Sequence, residues 1–156
     1  MNITIYIKEI FWTMLVSALP VAELRVGIPV GIAHGLPPAL AFFCAVLGNL
    51  LPVPFIVLLV RQVFAWLKKS RRLGPPIERL ERRAHLKGSM VRRYRLWGLL
   101  VLVAIPLPGT GAWTGALVAA LLDIRLRQAL PTIAAGVVIA GLLVLGVSLG
   151  VISFLA

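Results

Sequence analysis

Acidic side chains are scarce in this 156-residue chain: five Asp and Glu stand against sixteen Lys and Arg, and charged residues of both signs make up only 13%. A soluble domain carries roughly 25% charged residues over its surface, so a water-exposed globule does not fit. Cysteine is scarcer still. Cys44, the only one, excludes an internal disulfide and stands in an apolar run, where a thiol acts as a small buried hydrophobe. No nucleophile triad, metal-ligand cluster or pair of carboxylates spaced for acid and base work is found. The chain is therefore not expected to be an enzyme, and neither a metal nor a cofactor is expected. The first apolar stretch carries Lys8 and Glu9 and has no basic lead, so it is expected to be retained rather than cleaved as a leader.

What the chain has instead is apolar sequence: 60% of residues are hydrophobic and the mean hydropathy is +1.01. The net charge of +11 would suit nucleic acid in a soluble protein, but twelve of the sixteen cations fall between Arg61 and Arg95. The other four are Lys8, Arg25, Arg125 and Arg127. One basic island flanked by apolar runs is what the positive-inside rule places in a cytoplasmic loop. Its expected neighbours are membrane lipids with anionic headgroups, and nucleic acid is not an expected partner.

Along the chain, Ile3 to Leu19 is apolar until Pro20, and the stretch 20–29 sets Glu23 and Arg25 between two prolines. A simple spanning helix does not look like this, because proline removes a backbone donor and a lone charge in hydrocarbon is costly. After Pro37-Pro38, residues 39–67 form the longest apolar run, read as a full span kinked near Pro52. Residues 68–95 are the basic loop, with Ile77 to Lys87 read as a short surface helix. A ten-residue apolar leg from Leu96 then reaches a second break at 106–115, and residues 130–155 form a last span. The order of short leg, break, short leg, turn and long span thus occurs twice, in 1–67 and 96–156. This predicts an all-α polytopic membrane protein of two inverted repeats, each a re-entrant helical hairpin plus a transmembrane helix, with the breaks meeting near the midplane. Aligning Pro20 with Pro106 gives an offset of 86, whereas aligning Gly27, Gly31 and Gly35 with Gly111, Gly115 and Ala119 gives 84. In this topology Arg125 and Arg127 join the basic loop on the cytoplasmic side, and the turn around Pro37 lies outside.

Glu23 and Arg25 are the leading functional candidates, one for a proton and one for an anionic group, since ionisable residues inside a membrane mark sites. They equally suit a structural ion pair, and being two apart they need non-helical backbone to meet. Pro106, Pro108, Gly109, Thr110, Gly111 and Thr114 offer hydroxyls and free backbone N–H groups, which suit an anion at a half-helix N-terminus. Glycines there also let helices approach closely, as in the spacing of Gly111, Gly115 and Ala119. Trp113 is a cavity wall or an interfacial anchor. Asn49, Asp123, Arg125 and Arg127 are secondary candidates: Asn49 lines a pathway or kinks its span with Pro52 and Pro54, and the other three end a segment at the water boundary or meet a phosphate headgroup. His34 is a proton relay or simply interfacial.

Glu23-Leu-Arg25-Val-Gly-Ile-Pro29 and Pro106-Leu-Pro-Gly-Thr-Gly-Ala-Trp-Thr-Gly115 resemble the two signature stretches of the small multidrug export family, which is similar in architecture to the DedA (SNARE-associated membrane protein) superfamily. The resemblance covers nearly the whole chain. It implies a bacterial or archaeal inner-membrane protein with two facing re-entrant hairpins and, by way of DedA proteins, proton-coupled movement of a lipid phosphate such as the undecaprenyl carrier. The DedA pattern carries arginines within its second hairpin, whereas Pro106 to Leu122 here is neutral. The leading expectation is a transporter or flippase for an anionic lipid phosphate. The alternatives are an exporter of small cationic drugs, with Glu23 as counter-charge, and a non-transporting scaffold acting through its basic loop. A homodimer is the expected assembly.

Overall fold

The computed structural model describes residues 3–68, 90–107 and 109–155, and among these it contains helices and turns but no strand. Four helices precede the basic segment: α1 (Ile3–Ala18), α2 (Glu23–Ala33), α3 (Pro38–Leu50) and α4 (Val53–Lys68). Three follow it: α5 (Met90–Ala104), α6 (Ala112–Leu121) and α7 (Leu126–Leu155). The surface helix expected at Ile77 to Lys87 lies outside the described residues. Two stretches are long and apolar enough to cross a membrane, Pro38–Val63 and Leu126–Val151, each of 26 residues. At 1.5 Å per residue either exceeds the ~30 Å hydrocarbon layer.

Burial shows what surrounds them. Within the 18-residue apolar window of each, only 44% and 28% of residues are buried in the protein, whereas the core helix of a soluble domain is mostly covered. Large apolar side chains such as Phe43, Leu47, Phe55, Leu59 and Leu142 point outward. The interior sets small residues among larger ones: Ala41, Ala45, Ala112, Ala116, Ala119 and Ala129 are fully buried, as are Ile28, Val57 and Ile133. Small residues at helix contacts suit helices that associate in lipid, where close backbone approach replaces the hydrophobic drive. At Gly48, α1 and α3 come so near that a Cβ would lie 2.3 Å from the Met14 carbonyl oxygen.

Several boundaries differ from the sequence expectation for local reasons. Irregular backbone occupies only 19–22, not 20–29, because α2 begins at Glu23 and takes Pro29 inside it. A proline here forfeits one bond to the Arg25 carbonyl, and it lines a cavity. A break at 51–52 divides the first long stretch into α3 and α4, where Pro52 and Pro54 deprive two preceding carbonyls of donors. The last helix starts at Leu126 and accommodates Pro131 near its beginning.

The two halves repeat at a single offset. Leu36 donates to Gly31 O and, 88 positions on, Ile124 donates to Ala119 O; both bonds close helix ends through a left-handed residue, Gly35 at φ 89° and Asp123 at φ 52°. The next helices start at Pro38 and Leu126, again 88 apart. This replaces the offsets of 84 and 86. The first break is four residues wide and the second seven, so matching their prolines misplaces the register. The glycine match slips by one helical turn, since small residues recur every fourth position. The halves also interlock: α2 lies on α7, and its counterpart α6 lies on α4.

Candidate functional site

The turns 19–22 and 105–111 meet, and Glu23 stands at the junction. Its backbone is left-handed at φ 48°, which costs a non-glycine residue about 1–2 kcal/mol and turns the side chain out of the α2 axis toward the other half. The carboxylate is 4% exposed and sits at the start of α6, where the Trp113 N–H donates to Oε1 over a long 3.5 Å. Gly111, the residue 88 beyond Glu23, makes room for it: a Cβ there would lie 1.9 Å from Oε2. Gly111 also holds φ 139°. A carboxylate from one half therefore caps the helix of the other, favoured by the positive end of the helix dipole.

Arg25 runs beside it. Its guanidinium donates to the Thr110 carbonyl and, at 3.0 Å, to the Thr110 hydroxyl, and it lies 4.0 Å from the Glu23 carboxylate. The two residues thus meet in spite of their i, i+2 spacing, because Glu23 is not helical in φ. Thr110 organises its own turn. Its hydroxyl accepts the Leu107 N–H at 3.2 Å and lies 2.7 Å from the Ile105 carbonyl, to which it donates. The Thr114 hydroxyl donates to Gly109 O at 2.8 Å. Trp113, the counterpart of Arg25, sends its indole N–H to the Ala18 carbonyl at 3.1 Å. Each half thus braces the other's turn from the same position.

Beside the junction opens a cavity of about 760 Å³ between α2 and the second half of α7. Its walls are apolar: Pro29 and Ile32 on α2, Pro106 from the turn, and Val144 and Val147 on α7. Arg25 is the only charged residue among those lining it, and Ser148 adds a hydroxyl. Glu23 does not line it.

Other sequence candidates lie elsewhere, and Pro108 is outside the described residues. Asn49 is buried in α3, and its amide oxygen has no hydrogen-bond partner among the described residues. Asp123 pairs with Arg61 at 3.4 Å, while Arg125 and Arg127 are exposed at the start of α7. His34 contacts the Glu9 carboxylate through Nδ1 at the far end of α2. Two residues that the sequence reading passed over hold the C-terminus of α6: Arg61 donates to Ile124 O and Arg95, at 3.0 Å, to Leu122 O. Such cations suit the negative end of a helix dipole. The available signal was the position of Arg61, a lone cation in the last turns of an apolar run. Nothing in the sequence pointed to Val144, Val147 or Ser148, which sit on an unbroken apolar helix.

Fold and junction together define an all-helical protein with crossing-length apolar helices and a buried ion pair where two interhelical turns meet. The chain belongs to the family described as "Putative small multi-drug export protein", which matches residues 23–143, from the first residue of α2 to the middle of α7. No curated protein and no solved structure matches the chain.

Proposed function

We propose that the chain is a secondary transporter of the cytoplasmic membrane that moves an amphiphile with an anionic headgroup, such as a lipid phosphate, in exchange for a proton carried by Glu23. The observation that carries this reading is the α2–α7 cavity: apolar walls for a chain, and a guanidinium as the one charged group in its lining. A phosphate at Arg25 would replace the Thr110 carbonyl and hydroxyl with a stronger, charge-assisted partner. Releasing Thr110 loosens the turn that precedes α6. Glu23, capping that same helix, links its own charge state to the same movement.

In this reading the two halves are inverted repeats, with α1–α2 and α5–α6 as re-entrant hairpins and α3–α4 and α7 as spans. The contacts of Arg61 and Arg95 with residues 122–124 support it. They bring the end of α6 beside both flanks of the basic segment, so that this face is cytoplasmic by the positive-inside rule. Export of cationic drugs is the second reading, favoured by the family description. The burial of Glu23 behind the start of α6 works against it, because a cation has no path to that carboxylate in this conformation.

Translocation of a fluorescent lipid phosphate in proteoliposomes under an imposed pH gradient tests the proposal. The intact protein is expected to exceed empty liposomes, Glu23→Gln to insert normally but lose the dependence on the gradient, and Arg25→Gln to fall by about tenfold or more, the weight of one charge-assisted hydrogen bond. Rates equal to empty liposomes would remove the lipid-phosphate reading. Movement of a cationic dye instead would establish the second one.

A further inference from the structure

The cavity has a counterpart that is shut. Shifting its lining by 88 positions carries Pro29 and Ile32 on α2 to Leu117 and Ala120 on α6, and Val144 on α7 to Ile56 on α4. Between α2 and α7 these positions border open space. Between α6 and α4 the helices are in contact, with the counterparts Ala120 and Ile56 buried beside Ala116 and Val57, while Leu117 stays 41% exposed. Equivalent backbone thus encloses a cavity in one half and a closed seam in the other.

We infer that the α4–α6 seam is a second binding groove, for the apolar chain of the same amphiphile, and that it opens as the α2–α7 cavity closes. The inference rests on the transport reading above. Two arrangements of related sequence can exchange at low cost when each half can adopt the conformation of the other, and packed interfaces switch between discrete states rather than deforming gradually. At its junction end the seam offers no guanidinium among the described residues: Trp113 occupies the position of Arg25, and Arg61 on α4 holds the opposite end of α6. One cation serves both grooves, because Arg25 already reaches across to Thr110, in the turn that leads into α6. The headgroup accordingly stays at the junction while the chain swings from the α2–α7 cavity to the α4–α6 seam. This restricts the cargo to amphiphiles with a compact anionic head and a flexible apolar chain.

Reciprocal thiol labelling of the full chain in liposomes, without cargo, tests this. In a Cys44→Ala background, Ile56→Cys reports on the seam and Val144→Cys on the cavity, each through its rate with N-ethylmaleimide. Ile56→Cys should react slowly but measurably, and Val144→Cys quickly. Ala120→Phe, a wedge in the seam, should raise the Ile56→Cys rate several-fold and lower the Val144→Cys rate. Ala33→Trp, which fills the open cavity and so prevents its closure, should lower the Ile56→Cys rate several-fold and serves if the first wedge does not fold. A rate at either reporter that ignores the wedge in the other half overturns the inference, as does an Ile56→Cys protein that never labels. Reciprocal labelling without lipid-phosphate transport would instead keep the two grooves and discard the cargo. Transport with independent labelling would do the reverse.

Discussion

The two halves share one plan and spend it differently. Where the short helix starts, one half places Glu23 and the other the N-cap Gly111, and the carboxylate of the first occupies the space that the second leaves empty. Two positions on, Arg25 and Trp113 both donate across the junction to the opposite turn, but only Arg25 borders the open cavity. One half thus supplies charge and the other supplies shape and room. Two halves with one order of elements can build an asymmetric site in this way: each need only complement the other at a few points where their short helices meet.

The largest expected effect is therefore at Gly111. Gly111→Ala puts a methyl within 1.9 Å of the Glu23 carboxylate at a backbone angle of φ 139°. Overpacking costs about 1–3 kcal/mol, and an unfavourable φ adds of order 1 or more. A loss of about 2–4 kcal/mol should appear in chemical unfolding of the detergent-solubilised protein. The second variant, Glu23→Ala, should restore part of it when combined with Gly111→Ala; additive losses would mean that the two positions do not oppose one another.

Next comes a pair of glycines on the long helices, Gly48 and Gly136, 88 apart. A Cβ at Gly48 would meet the Met14 backbone at 2.3 Å, whereas at Gly136 it meets the Val103 side chain at 2.7 Å. Backbone cannot yield without separating α1 from α3; at Gly136 the nearest atom, the Val103 Cβ, is also fixed to its helix but stands farther off. Gly48→Ala should cost about 2–3 kcal/mol and Gly136→Ala about 1–2, measured in the same unfolding assay. Equal losses would show that α1 and α5 are held equally tightly.

How much of this was legible beforehand follows from the kind of signal each feature leaves. Proline, glycine and misplaced charge are visible in a chain that is otherwise apolar, so both breaks, the interruption at Pro52 and the candidacy of Glu23 and Arg25 could be read directly. The register could not, because glycine and alanine recur at every turn and a slip of four residues looks as good as the true offset. Nor could the opposition of Glu23 and Gly111, which joins residues 88 apart. The cavity wall on α7 was hidden for another reason: Val144 and Val147 are the same residue types that face lipid elsewhere, and only packing tells a groove from an outer surface. Pro29 misled because a proline within a helix is costly, yet α2 takes it in where it lines the cavity, a packing that sequence alone does not show.

A smaller effect separates the two braces. Trp113→Phe keeps the ring and removes the N–H that reaches Ala18, so it should cost about 0.5–1.5 kcal/mol, the net value of one hydrogen bond. Lipid-phosphate transport should change little. Arg25→Lys keeps the charge but loses the planar fork that can face Thr110 and a phosphate together, and should depress transport more than stability. If Trp113→Phe abolished transport as Arg25→Gln is expected to, the division of labour between charge and shape would be wrong.

The smallest effects lie at the two helix ends that carry the repeat most visibly. Gly35 at φ 89° and Asp123 at φ 52° close α2 and α6 in the same way. Gly35→Ala should cost about 1 kcal/mol for placing a Cβ in a left-handed residue. Asp123→Gly relieves that same strain but removes a partner of Arg61 at 3.4 Å. Asp123 is two-thirds exposed, and ion pairs of that kind are worth about 0.2–1 kcal/mol and are screened by salt. The two terms nearly cancel, so Asp123→Gly should be close to neutral in dilute buffer and slightly stabilising at about 1 M salt, where the pair contributes least. A clear loss that persists at high salt would show that Asp123 holds Arg61 in place for the Ile124 carbonyl, and that the second helix end depends on a cation where the first depends only on glycine.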